Sequence, residues 1–167
     1  PLSKISPEMQ HAQIAIEDHR FYEHGAIDFQ GFGRALFKTL TGDTQGASTL
    51  TQQYVKLVRV EAAAAINDKE GVRKATETTI ERKIVEARYA MALEDRLTKE
   101  EILERHLNIA YYGDGAYGVE AAARHYFGTT AAKLTLPQAA MLAGIVQNPV
   151  SLNPVKHPER AIDRRDV

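Results

Sequence analysis

Apolar residues recur at three- and four-residue spacing along most of the chain and almost nowhere at alternate positions, which predicts helices throughout. Ser6 and Pro7 supply an N-cap and a first helical position ahead of Met9, Ala12 and Ile16, so a first helix runs into the stretch IEDHRFYEHGAID at 16–28. Glu17 falls near its end. Phe32, Leu36 and Leu40 predict a second helix that stops near Gly42, followed by the polar loop TGDTQGA. Ser48 is the expected cap of a third helix, STLTQQYVKLV. Residues 61–78, EAAAAINDKEGVRKATET, alternate alanine with charge and predict a mobile, mostly helical excursion, the part of the chain nearest to disorder. Thr78 with Glu81, and Thr98 with Glu101, have capping-box spacing ahead of IERKIVEARYAMALEDRL and KEEILERHLNIAYY. Glycines 113, 115 and 118 break the chain before VEAAARHYFG, and Thr135, Pro137 and Gln138 open a last apolar helix through AAMLAGIV. No segment alternates as a strand does and no repeat is present, so the class is mainly α with at most a short hairpin.

Composition narrows the functional classes. A chain of 167 residues, 44% hydrophobic, suits a single domain, 1–167, with its own core. Lys and Arg number 21 against 22 for Asp and Glu, so no global charge draws the chain to nucleic acid or an anionic membrane, and any phosphate site must be local. The absence of cysteine excludes a disulfide framework, a thiolate metal site and a thiol nucleophile. No apolar run approaches the roughly 20 residues that span a bilayer, and no signal-peptide pattern precedes Pro1. A chain that opens without Met and ends AIDRRDV reads as a domain cut from a longer protein.

Candidate chemistry gathers on the third and fourth predicted helices. At about 100° per residue, Ser48, Gln52 and Lys56 share one stripe, while Leu50, Tyr54 and Leu57 lie opposite. A solvated stripe usually holds long charged residues, whereas hydroxyls, amides and one lysine suit sugar hydroxyls and a phosphate. Arg82 and Lys83 stand four and three residues before Glu86 and can share its face; taken alone, that motif reads as a surface ion pair worth a few tenths of a kcal/mol. Joined to Lys56 and Glu17, it gives two carboxylates and three cations, able to take a proton and to hold an anionic leaving group. A glycosidase must protonate a poor alkoxide; a diphosphate leaves once its charge is neutralised, and the essential carboxylate is then a base. Cations beside carboxylates favour transfer. The six histidines have no zinc spacing; His24 reads as structural, and His106, His125 and His157 as structural or surface. Asn108 either braces a turn or touches substrate.

EDHRFYEH, GASTLTQQYVK, RKIVE, KEEILERHLN and GAYGVEAAARHYFG stand in the order of the motifs of the peptidoglycan glycosyltransferases, and the chain resembles that family over nearly its whole length. The family comprises the glycosyltransferase domain of class A penicillin-binding proteins and monofunctional relatives. The resemblance implies a lysozyme-like helical fold with a cleft between a larger lobe and a smaller membrane-facing lobe. It also implies polymerisation of lipid II into β-1,4-linked glycan strands at the outer face of the bacterial cytoplasmic membrane, with a transmembrane anchor outside this chain. By position, Glu17 matches the general base. Glu86 matches the second essential carboxylate, which either holds a divalent cation, Mg or Mn, or orients the pyrophosphate. Ser48, Thr49, Gln52, Gln53 and Lys56 match the second motif, Arg82 and Lys83 the third, and Asp18, Phe21 and His24 the rest of the first. Lys56 and Arg82 are the leading pyrophosphate contacts. Implied partners are lipid II, the growing glycan strand, the membrane surface, moenomycin-type inhibitors and other wall-building proteins, with no nucleic acid and no organic cofactor. Phe29, Phe32, Leu36, Phe37 and Leu40 are the expected docking surface for the lipid.

Three departures from the family pattern stand out. Ala26, after Gly25, replaces the usual glycine; the 61–78 segment is longer than usual; and Thr78 occupies a position where several relatives carry an anion-binding arginine, for which Arg73 or Lys74 is the candidate substitute. The rival readings are a lytic muramidase, which does not need Lys56, Arg82 and Lys83, and a non-catalytic glycan-binding module.

Overall fold

The computed structural model describes residues 1–30 and 48–166. Among them are eight α-helices: α1 Pro7–Glu17, α2 Leu50–Ala65, α3 Lys69–Thr76, α4 Ile80–Glu94, α5 Lys99–Ile109, α6 Val119–Phe127, α7 Leu136–Ile145 and α8 Pro158–Arg165. Among the described residues extended pairing is limited to one isolated antiparallel bridge, Tyr111 with Tyr117, so the mainly α class stands. The helix expected at Phe32, Leu36 and Leu40 and the loop after it lie outside the described residues, as do Phe37 and the other docking candidates except Phe29, which is 78% exposed.

The chain divides into two compact units, one made of Pro1–His19 with Leu103–Val167, the other of Arg20–Ile102. In the first, α7 packs against α1 and α8. Its sequence is apolar on every face, and Ala139, Leu142, Ala143 and Ile145 are all buried, as expected of a central helix. The Ser6 hydroxyl accepts from the Met9 N–H at 3.2 Å and starts α1 as the sequence predicts. A reciprocal box of Thr135 and Gln138 starts α7. The sequence reading missed α8, whose residues PERAIDRR bury only Ala161 and so carry almost no apolar periodicity.

Gly118 ties the hairpin turn of this unit. Its φ is +80°, and a Cβ there would lie 2.7 Å from the Asn108 carbonyl oxygen, so both the backbone angle and the space require glycine. Gly118→Ala is therefore expected to cost about 2–3 kcal/mol, read as a lowered midpoint in urea unfolding with an unchanged slope.

In the second unit, α2 packs against α3 and α4. The caps sit one residue later than predicted: Thr49 rather than Ser48 accepts from Gln52 N–H at 3.2 Å, and Thr79 rather than Thr78 accepts from Arg82 N–H at 3.2 Å. Neighbouring hydroxyls make that choice hard to read, because either one satisfies the orphan donors equally well. The box of Thr98 and Glu101 forms as expected. The 61–78 excursion is helical as predicted, split between the end of α2 and α3, with Asp68 capping α3 through Gly71 N–H at 2.9 Å. Glu70, Arg73, Lys74 and Glu77 form ion pairs along the exposed face of α3.

Candidate active site

Glu17 is the last residue of α1, placed where the helix gives way to the EDHRFYEH loop. Asp18 follows as the C-cap, buried, its N–H bonded to the Ile14 carbonyl at 2.9 Å. In the same unit the Asn108 amide donates to the Glu104 carbonyl at 2.7 Å, one turn back on α5.

The rest of the first motif is anchored within the second unit. Phe21 is fully buried and packs edge-on against Tyr22 at 5.3 Å, while Lys99 Nζ stands 4.6 Å over its ring. Lys99 also pairs with Glu94 at 2.8 Å, and Glu94 accepts from Thr51 on α2, so a chain of contacts runs from the aromatic ring to the second motif. His24 Nδ1 lies 2.5 Å from the Gly25 carbonyl oxygen. Arg20 pairs with Asp28. Thr49 donates its hydroxyl to the Ala26 carbonyl at 2.9 Å, joining motifs one and two. Ala26 is itself buried in a small apolar cluster with Val55 and Ala90, which gives its methyl a packing role where the family pattern led to the expectation of glycine.

The second and third motifs meet where α2 packs on α4. Glu86 is 1% exposed; its Oε1 accepts from Arg82, and its Oε2 lies 3.5 Å from Lys83 Nζ. The pair is thus buried on the carboxylate side, in place of the surface ion pair that the motif alone suggested. Lys83 also bonds the Ser48 hydroxyl, which brings that serine to the same place although it does not cap the helix. Gln52 is buried and Gln53 half-buried on α2. Burial lowers the Lys56 pKa, the positive charge of Arg82 lowers it further, and Glu86 partly offsets both, with Lys83 adding to the lowering. Lys56 thus belongs electrostatically to the Arg82, Lys83 and Glu86 group, and it makes no ion pair among the described residues. Three cations face one carboxylate. The site carries excess positive charge, with Arg82 and Glu86 largely buried, Lys56 half-buried and Lys83 half-exposed, an arrangement that favours an anion.

Sequence reasoning missed the Thr51, Glu94 and Lys99 chain that holds Phe21. Its signal was faint: a threonine inside a helix and a lysine just after a turn. His106 is fully buried, so of its two expected places the structural one is found, and burial lowers its pKa to about 4. His125 lies 3.6 Å from Asp114 on the surface. Among the described residues no group of three or more His, Asp and Glu side chains is gathered as a metal site requires. Both Glu86 oxygens already face cations, so a divalent ion there competes with Arg82 and Lys83.

The chain matches the transglycosylase family along residues 1–167. It is 43% identical to penicillin-binding protein 1A of Escherichia coli and 41% identical to penicillin-binding protein 2D of Bacillus subtilis, with 99% of this chain covered in both alignments. A penicillin-binding protein 1A of Aquifex aeolicus is 39% identical over the same share. The chain spans 18%, 22% and 21% of the lengths of these three relatives. No helix among the described residues is long and apolar enough to cross a membrane.

Proposed function

The chain belongs to the transglycosylase family, and from that premise we propose that it polymerises lipid II into the β-1,4-linked glycan of peptidoglycan, at the outer face of the cytoplasmic membrane. The carboxylate of Glu17 takes the proton of the acceptor sugar's 4-hydroxyl as that oxygen attacks C1 of the donor sugar. The bond from C1 to the diphosphate oxygen breaks on the opposite face, its electron pair stays with the diphosphate, and the α-linked donor becomes a β-linked product. Lys56, Arg82 and Lys83 neutralise the departing charge, so no acid need protonate the leaving group. Glu86 sets their geometry and keeps Arg82 from collapsing elsewhere.

The observation that supports this reading most is the gathering of those three cations about one buried carboxylate. A hydrolase that cuts a glycosidic ether bond has no use for it. The deciding experiment incubates the protein with lipid II and, separately, with finished peptidoglycan. Consumption of lipid II with growth of long glycan supports the proposal, and release of fragments from finished peptidoglycan replaces it with a muramidase. A phosphoglycolipid of the moenomycin type is expected to compete with lipid II for the same cations.

Lys56→Ala should slow polymerisation by roughly 10²-fold, the scale of removing one charge-assisted hydrogen bond from a partly dry site, with the helical signal intact. The depressed Lys56 pKa adds a pH signature. Lys56 gives up its proton below the usual lysine range, so affinity for inorganic pyrophosphate should begin to fall at a lower pH than an ordinary lysine dictates. A bound anion favours the charged form, and binding in that window takes up protons. In Lys56→Arg the early onset of that decline should vanish, since Lys83 remains a lysine, and titration calorimetry across pH measures both effects.

A further inference from the structure

Lys99 has no part in the chemistry proposed above, and its place in the fold is unusual for a lysine. It is the first residue of α5 and is followed by Glu100 and Glu101. A helix start favours carboxylates and disfavours a cation, so the two glutamates suit that turn and the lysine does not. A lysine so placed ordinarily turns its ammonium into water. The Lys99 side chain is 18% exposed and turns inward instead: its Nζ lies 2.8 Å from Glu94 Oε1, 3.5 Å from the Gly25 carbonyl oxygen and 4.6 Å from the centre of the Phe21 ring. Holding a long side chain in one pose costs rotamer freedom, which the three contacts together offset.

What those contacts hold is a loop with little structure of its own. Residues 19–28 contain no helix or strand, and Phe21 and Ala26 are the buried residues among them. A segment of that kind keeps one conformation only through its anchors. Ala26 is anchored from α2, where Val55 packs on it and the Thr49 hydroxyl donates to its carbonyl. Phe21 is the other anchor, and Lys99 stands over it. The Glu94 oxygen that receives Lys99 also accepts from the Thr51 hydroxyl. Both anchors are thus tied to the start of α2, one directly and one through the cation. All of these residues belong to the second unit. Glu17 precedes Phe21 by four residues in the chain, so only residues 18–20 separate it from that anchor.

We propose that Lys99 is a positioning residue for the reaction: its ammonium fixes the turn that carries Phe21 and Gly25, and through that turn the chain that leaves Glu17. The proposal rests on the transglycosylase reading above, in which Glu17 is the base. Lys99 itself touches no reacting group and acts through the loop. Its removal leaves Thr51 bonded to Glu94 and leaves Lys56, Arg82 and Lys83 on their helices, so the affinity of those cations for a diphosphate is retained. The first-motif loop, by contrast, loses one of its two anchors. Displacement of a catalytic group by about 1 Å can cost 10²-fold in rate, so the effect falls on turnover and not on binding.

The test compares wild type with Lys99→Met, Lys99→Arg and the double variant Lys99→Met with Glu94→Gln. Lys99→Met leaves Glu94, largely buried, without its counter-charge and so loses stability as well as the anchor; the double variant removes both charges and should recover most of that stability. Each protein is measured for its urea midpoint, for kcat and KM on lipid II, for calorimetric binding of inorganic pyrophosphate and for amide hydrogen exchange. The double variant should keep wild-type pyrophosphate affinity and KM while kcat falls about 10- to 100-fold, and amides of residues 20–26 should exchange about tenfold faster with those inside α2 and α4 unchanged. Lys99→Arg keeps a cation for both the ring and Glu94 and should recover most of kcat. Return of kcat together with stability in the double variant shows that Lys99 serves the fold alone and overturns the assignment. Failure of both Lys99→Met and the double variant to fold overturns it likewise. Wild type that leaves lipid II unconsumed overturns the transglycosylase reading, whereas an active wild type with an equally active Lys99→Met overturns the Lys99 assignment and leaves that reading standing.

Discussion

Glu17→Gln is expected to bind a moenomycin-type phosphoglycolipid or lipid II about as well as wild type and to make no glycan. The sugar hydroxyl is a very weak acid, and its oxygen becomes an effective nucleophile only as a base removes the proton. Loss of that base should therefore lower the rate by about 10²–10⁴-fold or more. In the proposed reaction ground-state affinity is assigned to the cations on α2 and α4, in the compact unit that does not contain Glu17. The substitution is nearly isosteric at the half-buried end of α1, after the residues that start and bury that helix, so folding should be unaffected. A polymerisation assay with matched inhibitor binding separates the two effects. Glycan formation by Glu17→Gln at near the wild-type rate removes the base assignment.

Much of this arrangement is legible in the sequence because it is local. Helices with strong periodicity or a capping serine or threonine, such as α1, α5 and α7, can be read from the residues alone, since cap and apolar stripe lie within one short window. The end of α1 at Glu17 is readable too, because a charged, aromatic loop cannot continue its buried face. What escapes is whatever depends on a partner distant in the chain. The choice of Thr49 over Ser48 as cap follows from Lys83, which engages the Ser48 hydroxyl from 35 residues away. α8 escapes because a helix with one buried alanine has almost no stripe to detect.

The site divides along the same line. The pairing of Arg82 and Lys83 with Glu86 is an i, i+4 and i, i+3 relation that the spacing foretells, but its depth is not, because burial is set by α2 lying across α4. Periodicity gives the face of a helix, and the register between helices gives what that face meets.

Glu86→Gln tests the centre of that register. Arg82 is 8% exposed and Glu86 1%, so a neutral amide leaves a largely buried guanidinium without its counter-charge. Removing one partner of such a pair should cost about 3 kcal/mol, the lower end for buried pairs because Lys83 remains 47% exposed and hydrated. The loss should appear as a lower unfolding midpoint. An anion can then restore what the carboxylate supplied, so inorganic pyrophosphate should stabilise Glu86→Gln against unfolding more than it stabilises wild type. The same surplus of positive charge should make the variant hold its diphosphate product too long. Polymerisation then falls partially, with a lowered KM for lipid II and stronger inhibition by added farnesyl diphosphate. Glu86→Asp should keep the charge, lose the reach to Arg82 and give an intermediate value of each measure. Equal stabilisation of wild type and Glu86→Gln by pyrophosphate would show that these cations do not receive the leaving group, and the role of Lys56, Arg82 and Lys83 in the proposed reaction would have to be withdrawn.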